Sequence, residues 1–337
     1  MKRPTIADIA RRAGVSKGAV SYALNGRPGV SEATRARILA IAKELGWRPS
    51  LAARALTGAR AHAIGLVLCR PARVLGMEPF LMELISGIEA ELSARSYALL
   101  LRVVSDHREE LAVHRRWWGE GRVDGAFLVD LHVDDPRVPE IEMLGMPAVV
   151  IGHPSAAGSL VPVWSDDGAA VEETVAYLAA LGHRRIARVA GLPRLVHTVI
   201  RDRAFEETCR RLGMTERSII HTDHTGTEGA RATRRLLSSP DRPTAIVYDN
   251  EIMAVAGLSV AQELRIDVPS ELSIVAWDDS PLSQVVRPPL TGLTRDIPAY
   301  GAHAARRLLE LIDTGTAEPY EDEAPRLTPR GSTAPIG

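Results

Sequence analysis

The chain has 337 residues, 45% of them hydrophobic and 25% charged, with a formal net charge of −1. That composition belongs to packed domains and excludes a largely disordered chain, and the length allows two or three domains. No run of about 18 apolar residues is available to span a bilayer, and the basic, quickly amphipathic N-terminus lacks an apolar core of signal-peptide length, so a cytoplasmic protein is expected.

The near-neutral total hides a division. Residues 1–60 hold twelve Lys and Arg against Asp8, Glu32 and Glu44, a balance of +9, which leaves −10 on the remainder. A small basic module on a larger acidic body suggests a polyanion-binding head. Lys2, Lys17 and Lys43 are the only lysines, so the body has no P-loop, Schiff-base or kinase-type lysine. Cys69 and Cys209 lack the close spacing of a zinc or redox motif and are expected to be buried thiols.

From the N-terminus, Thr5 to Leu24 reads as two short helices joined at Gly14, each opening at a hydroxyl cap, Thr5 or Ser16, that can accept from a first-turn N–H. Gly14 supplies the positive φ of an abrupt helix-to-helix turn. Ile9, Ala10, Val15, Val20 and Leu24 fall on facing apolar stripes. Asn25 to Gly29 is loop chemistry, and Ser31 caps a third helix, Glu32 to Leu45, with Ile38, Ile41 and Leu45 inside. Three helices around a small apolar centre make a helix-turn-helix domain. After Gly46-Trp-Arg-Pro49, Ser50 can cap a short helix from Leu51 to Thr57, ahead of Gly58; it is too short to persist alone and is expected to fold only against a partner.

From Ala63 strands alternate with helices: strand Ile64–Leu68, helix Phe80–Arg95, strand Ala98–Val104, helix Arg108–Gly119, strand Gly125–Val129 and strand Ala148–Ile151. The rhythm restarts with helix Gly168–Leu181, strand Ile186–Val189, helix Arg203–Leu212, strand Ile219–His221, helix Gly229–Leu237, strand Ala245–Tyr248, helix Asn250–Leu264 and strand Ser273–Ala276. Such βαβ repetition implies doubly wound parallel sheets in two similar lobes, with ligands at the carboxyl ends of the strands. Trp117-Trp118 is expected to cover a helix-to-sheet face. His221-Thr-Asp-His224 has no third ligand nearby in sequence, so no metal or cofactor is expected.

With these elements placed, the chain resembles the LacI/GalR family of bacterial transcription regulators over nearly its whole length. The head carries T-I-x-D-I-A, A-G-V-S, V-S, L-N-G, V-S, T-R and L-G-W-x-P in order. The body adds Arg122-Val-Asp-Gly125, Gly182 to Ala187, Pro243 to Ile246, Asn250 to Ala254, Leu272 to Asp279, Pro289-Leu-Thr291 and Arg330 to Thr333. The resemblance implies an all-α helix-turn-helix head with a hinge helix, then a two-lobed α/β body like a periplasmic binding protein. It divides the chain into a DNA-binding domain (1–49), a hinge and linker (50–61) and an effector-binding and dimerisation domain (62–333). Lobe 1 is expected over about 62–161 and 290–315, and lobe 2 over about 162–289 and 316–333.

It further implies that Lys17, Gly18 and Tyr22 stand where the recognition helix reads bases. Lys17 suits guanine or a phosphate, Tyr22 offers a hydroxyl and a ring, and Gly18 offers only backbone. Thr5, Ser16, Ser21, Asn25 and Ser31 are assigned to phosphates or caps. Leu56 matches a hinge leucine that wedges into the minor groove, or packs on the body as an ordinary linker residue, with Ala53 among the alanines that keep the hinge thin. In the body Arg201, Asn250 and Asp278 match effector-binding positions. Trp277, Phe80 and Trp164 are candidates to stack on a pyranose, with strand-end core the other reading for Trp277 and for Trp164. Asp166 and Asp167 are expected to cap a helix, and Glu251 stands where the family has Asp.

The function so implied is a homodimeric repressor of a palindromic operator, released by a carbohydrate. A corepressor-type regulator tightened by a purine is the alternative. Without a Gly-x-Ser-x-Gly elbow, a Gly-x-Gly-x-x-Gly loop or a Walker motif, an enzyme is not expected. A sugar-active enzyme or an exported sugar-binding protein is the more distant reading.

Overall fold

Side-chain caps from Ser, Thr, Asn and Asp set most of the helix starts in the computed structural model, which describes residues 4–47, 60–70, 78–214 and 216–336. The chain forms two compact units, Met1–Ala61 and His62–Gly337. The hinge expectations, Ser50, Ala53, Leu56 and Gly58, lie outside the described residues.

In the first unit α1 (Ile6–Ala13), α2 (Lys17–Leu24) and α3 (Glu32–Glu44) surround buried Ile9, Val20, Ala23 and Ile38, with Val15, Leu24, Ile41 and Leu45 packed partly buried against them. Gly14 caps α1 at φ 64°, a left-handed turn without a Cβ penalty. Ser16 accepts from the Ala19 N–H (3.1 Å) and Ser31 from the Thr34 N–H (3.4 Å). Thr5 forms a capping box with Asp8 at the start of α1. Its hydroxyl donates to Asp8 Oδ2 (2.6 Å), which also takes the Thr5 N–H (2.9 Å), so the carboxylate at the third helical position is the acceptor.

The second unit contains two six-stranded sheets. The first is built from β1 (Ala63–Cys69), β2 (Ala98–Val104), β3 (Gly125–Leu128), β4 (Ala148–Ile151), β5 (Val161–Ser165) and a late strand, Tyr320–Asp322, in the spatial order late strand, β5, β4, β3, β1, β2. The second comprises β6 (Arg185–Ala190), β7 (Glu216–His221), β8 (Ala245–Tyr248), β9 (Ser273–Ala276), β10 (Thr291–Thr294) and Arg326–Thr328. With the late strands named β11 (Tyr320–Asp322) and β12 (Arg326–Thr328), its order is β12, β10, β9, β8, β6, β7. Every pair is parallel except β10 with β12.

Helices cover both sheet faces, which is why the strands read as nearly continuous apolar runs. On β1, Ile64, Leu66 and Leu68 pack beneath α4 (Pro79–Ala94), whereas Val67 faces Val113 and Trp117 of α5 (His107–Gly119). Trp118 donates its Nε1–H to the Leu144 carbonyl (3.0 Å), next to α6 (Arg137–Leu144). Lobe 2 carries α7 (Asp167–Ala180), α8 (Val196–Arg211), α9 (Gly226–Leu237), α10 (Glu251–Glu263) and α11 (Pro281–Val285). The family-pattern residue His183 ties strands from within: Nδ1 lies 2.9 Å from Thr244 Oγ1 and Nε2 3.0 Å from Ser273 Oγ.

The lobe boundaries differ from the expectation. β5 belongs to the first sheet although residues 162–289 were assigned to lobe 2. β10 pairs in the second sheet although residues 290–315 were assigned to lobe 1, and β11 pairs in the first although residues 316–333 were assigned to lobe 2. The chain therefore crosses after β5, after β10 and after β11. Helix α12 (Ile297–Thr314), which follows the second crossing, packs on α4 in lobe 1. That packing is close because Gly87 and Gly301 face the opposing backbone: a Cβ on Gly301 would lie 2.3 Å from the Leu84 carbonyl, and one on Gly87 1.8 Å from that of Pro298.

Gly301→Val forces these helices apart. A loss of at least about 1–3 kcal/mol is expected for overpacking at such a contact, read as a lower urea midpoint for the full chain. A midpoint equal to wild type would contradict the α4–α12 crossing.

Candidate functional site

The exposed face of the first unit centres on the start of α2. Lys17 and Gly18 are exposed, and Tyr22, one turn on, is 45% exposed with its ring against Gly29. Ser21 is half-buried and its carbonyl accepts from Asn25 Nδ2 (2.9 Å). Thr5, Ser16, Asn25 and Ser31 are exposed at helix ends. A phosphate approaching Ser16 or Ser31 would also meet first-turn N–H groups.

In the second unit the strand ends converge on one cavity, with about 120 Å³ open to the centres of water-sized molecules. All six residues singled out from the sequence line it: Phe80, Trp164, Arg201, Asn250, Trp277 and Asp278. Sequence reasoning missed Arg70, Asp130, Asp249 and Arg295, which also line it. Each directly follows a strand or stands one residue beyond it, so a charged residue at the carboxyl end of an apolar run was the available signal.

Ion pairs organise the lobe 2 wall. Arg188, fully buried on β6, grips Asp249 through Nη1 (2.6 Å) and Nη2 (3.0 Å) and donates Nε–H to Asp202 (2.9 Å). Asp249 also accepts the Gly191 N–H (2.7 Å) and lies 3.4 Å from Arg201 Nη1. Burial alone would raise the Asp249 carboxyl, but Arg188 and Arg201 hold it well below the usual carboxylate range. Arg201 further binds Asp167 through Nε (2.8 Å), and its guanidinium carbon sits 3.5 Å from the centroid of the Trp277 ring.

Three expectations change here. Asp166 does cap α7, accepting from the Ala169 N–H (2.9 Å), but Asp167 faces the cavity and holds Arg201. Trp277 borders the cavity with 1% exposure, and Arg201 covers its ring, so it is strand-end core supporting a cation rather than an open sugar platform. Arg201 stands in the second turn of its helix, because α8 begins at Val196 rather than Arg203. Asn250 spends its amide on structure. Oδ1 accepts from the Met253 N–H (2.8 Å) and Nδ2 donates to the His224 carbonyl (2.9 Å), leaving one N–H for a ligand.

The lobe 1 wall repeats the scheme. Arg70 bridges Glu78 (2.5 Å) and Asp130 (2.6 Å). Across the opening Arg295 donates to Asp278 (3.1 Å) and lies 4.9 Å from the Phe80 ring centroid. Trp164 is half-buried, with the His153 ring edge-on at 4.8 Å. Burial and Arg201 push His197 down to about 3, and burial pushes His224 down, so both imidazoles are neutral at pH 7 and offer one donor and one acceptor each. Asp130, His224 and Asp278 adopt left-handed backbone at φ 52°, 65° and 64°, a conformation that aims their side chains inward at an energetic cost.

Backbone also joins the lobes beside the cavity. The Val133 N–H donates to the Arg194 carbonyl and the Val196 N–H to the Leu131 carbonyl, both at 2.9 Å. Six carboxyl groups, Glu78, Asp130, Asp167, Asp249, Glu251 and Asp278, thus meet three guanidiniums, Arg70, Arg201 and Arg295, at the lining. Alternating donors and acceptors with aromatic edges suit a neutral polyhydroxylated molecule.

The two sequence cysteines differ. Cys209 is buried and Cys69 is half-buried, contrary to the expectation that both are buried. His221 is bound to Asp202 (2.7 Å), while His224 lines the cavity.

Comparison with known proteins follows the same division. The family profile described as "Bacterial regulatory proteins, lacI family" matches residues 5–50, and that described as "Periplasmic binding protein-like domain" matches residues 175–333. The HTH-type transcriptional regulator CelR of Thermobifida fusca is 32% identical over 324 residues, covering 94% of each chain. A crystal structure of a LacI family transcriptional regulator from Bifidobacterium animalis subsp. lactis is 41% identical, with a TM-score of 0.77, over 83% of this chain and 100% of that one. A structure of a CelR–cellobiose complex is 30% identical with a TM-score of 0.75, over 98% of this chain and 100% of that one.

Burial, with Asp278 nearby, pushes the Glu251 carboxyl up to about 7. Its folded value lies above the unfolded one, so its contribution to stability is present below the ordinary glutamate range and is lost as the pH rises through about 7. Glu78, also raised to about 7 by burial, acts in the same direction. Glu251→Gln is therefore expected to gain thermal stability relative to wild type as the pH rises from about 5 to about 8. Parallel melting curves across that range would contradict the burial assigned to this side chain.

Proposed function

The chain belongs to the LacI family of bacterial regulatory proteins, and from that premise we propose that it is a transcriptional repressor whose DNA affinity is controlled by a neutral carbohydrate in the cleft. One observation carries the effector class. Arg201 is locked between Asp167 and Asp249 and stacked on Trp277, so a guanidinium edge and paired carboxylates are presented in fixed positions at the lobe junction. Such preformed pairs bind hydroxyl groups without a large ordering penalty. The relatives are regulators rather than enzymes, and one of them is seen with cellobiose, which makes neutral disaccharides the first compounds to test.

The residues divide between two tasks. Lys17 and Tyr22 read bases in the major groove, Gly18 brings the backbone close, and Thr5, Ser16, Ser21, Asn25 and Ser31 position the head on phosphates. Two such heads on a homodimer match two half-sites of a palindrome. Between them Leu56, with Ala53 at its side, enters the central minor groove and bends the duplex. A DNA-binding regulator of this kind acts in the cytoplasm; among the described residues no helix is long and apolar enough to cross a membrane.

In the cleft Phe80 and Trp164 of lobe 1 pack on the sugar, while Arg201, Asn250 and Asp278 of lobe 2 bind its hydroxyls. A ligand touching both walls favours one angle between the lobes. Only that differential affinity can alter the spacing of the hinges and release DNA.

Arg201→Ala is expected to retain operator binding without sugar and to weaken the inducing sugar roughly 10- to 150-fold, the range for losing a charged hydrogen bond. Fluorescence anisotropy of labelled operator, titrated with mono- and disaccharides, checks this. Wild-type sensitivity in the variant, or tighter operator binding with purines and no effect of any sugar, would overturn the reading.

Leu56→Ala is expected to weaken operator binding far more than binding to random duplex. Equal losses on both DNAs, measured by the same anisotropy assay, would remove the wedge role.

A further inference from the structure

Lobe 1 contains a group of metal-ligating side chains that DNA binding and sugar binding do not use. Cys69 ends β1, and His107 and Glu110 stand in the first turns of α5. The Cys69 sulfur, a His107 ring nitrogen and a Glu110 carboxylate oxygen all lie within 4.8 Å of one another. Around a tetrahedral zinc-like ion, bonds of about 2.3 Å from sulfur and about 2.0–2.1 Å from nitrogen and oxygen separate such atoms by roughly 3.4–3.6 Å. Small side-chain rotations bring this trio to that spacing.

A second observation marks the same place. His114, one turn beyond Glu110 on α5, has no exposure, and neither ring nitrogen has a hydrogen-bond partner among the described residues. Its Nε2 lies 3.9 Å from Glu110 Oε1, close enough to be aimed at it and too far to bond. An orphaned buried imidazole is costly and calls for an explanation. Beside a ligating carboxylate it has one, because such a ring closes on the carboxylate and holds it in place.

The surrounding charges agree. The Glu110 carboxylate lies within 4.8 Å of the Cys69 sulfur. Arg137, the cation closest to Glu110 (2.8 Å), is also bound by Asp135 (2.6 Å), so its charge is already matched. The His132 ring stands edge-on to His107 at 4.5 Å. A thiol, an imidazole and a carboxylate form a donor set for zinc-class ions rather than for magnesium or calcium.

We propose that Cys69, His107 and Glu110 bind one zinc-class divalent cation at the carboxyl end of β1. The sulfur–metal bond forms as the thiol proton leaves to solvent, so one proton is released per ion bound. The site adjoins the cleft, since the next residue is Arg70, but its occupancy does not depend on the effector's identity.

Titration of the full chain with cobalt(II) tests this. One equivalent is expected to produce thiolate-to-cobalt charge-transfer absorption that zinc then abolishes. Cys209→Ser is expected to keep the band, because Cys209 is buried and its thiol is pushed up to about 11. Cys69→Ser is expected to lose it. His107→Gln, at a half-buried position, is expected to weaken the metal more than about 100-fold, beyond the loss typical of an outer partner; it decides the matter if Cys69→Ser folds poorly. Absence of charge-transfer absorption in wild type, its survival in Cys69→Ser, or unchanged affinity in His107→Gln would overturn the proposal.

Discussion

The grip of Arg188 and Arg201 on Asp249 is the constraint on which the cleft depends. Asp249 follows β8, Arg188 lies mid-strand on β6 and Arg201 comes from α8, so one carboxylate ties three elements at the carboxyl edge of the second sheet. Buried without these partners, the carboxylate would be costly; with them, it is ionised and fixed. Arg201 in turn reaches Asp167 just beyond the first crossing between lobes and rests on Trp277 at the end of β9. The wall that meets a ligand is thereby formed before the ligand arrives, and the other buried pairs, Arg70 with Asp130 and Arg295 with Asp278, extend the same principle around the opening.

Local chemistry was legible in the sequence. Ser16 and Ser31 cap their helices and Gly14 turns the chain, and the alternation of apolar runs with amphipathic segments located β2 over Ala98–Val104 and the flanking helices to within a few residues. Of the six expected cavity residues, Arg201, Asn250 and Asp278 rest on the resemblance to a family and Phe80, Trp164 and Trp277 on the stacking chemistry of aromatic rings, because their roles depend on neighbours far away in sequence. Arg188 and Asp249 are 61 positions apart, and nothing in the spacing announces their pairing. The same limit explains the misplaced lobe boundaries. β11 is three residues long and β10 four, too short for a period-two pattern, and their sheets are decided by pairing with β5 and β9. α8 hid its start because Leu195 offers no side-chain cap.

Strain and rigidity fall in different places. Asp130, His224 and Asp278 hold left-handed backbone at the cleft, while the helices behind them are anchored by close packing such as the α4–α12 crossing at Gly87 and Gly301. Only two backbone hydrogen bonds, Val133 to Arg194 and Val196 to Leu131, join the loop after β3 to the start of α8 beside the cavity. Val196 and Ile200 of α8 also pack against the lobe 1 core, so a change in the angle between lobes remakes this seam of two hydrogen bonds and apolar contacts.

The central claim is that the cleft and the DNA-binding head share one free energy of coupling. Titration calorimetry of the full chain, measuring sugar affinity with and without saturating operator and operator affinity with and without saturating sugar, tests it most directly. The account predicts that each ligand weakens the other by the same factor, as linkage requires. Sugar binding that is indifferent to the operator would contradict it.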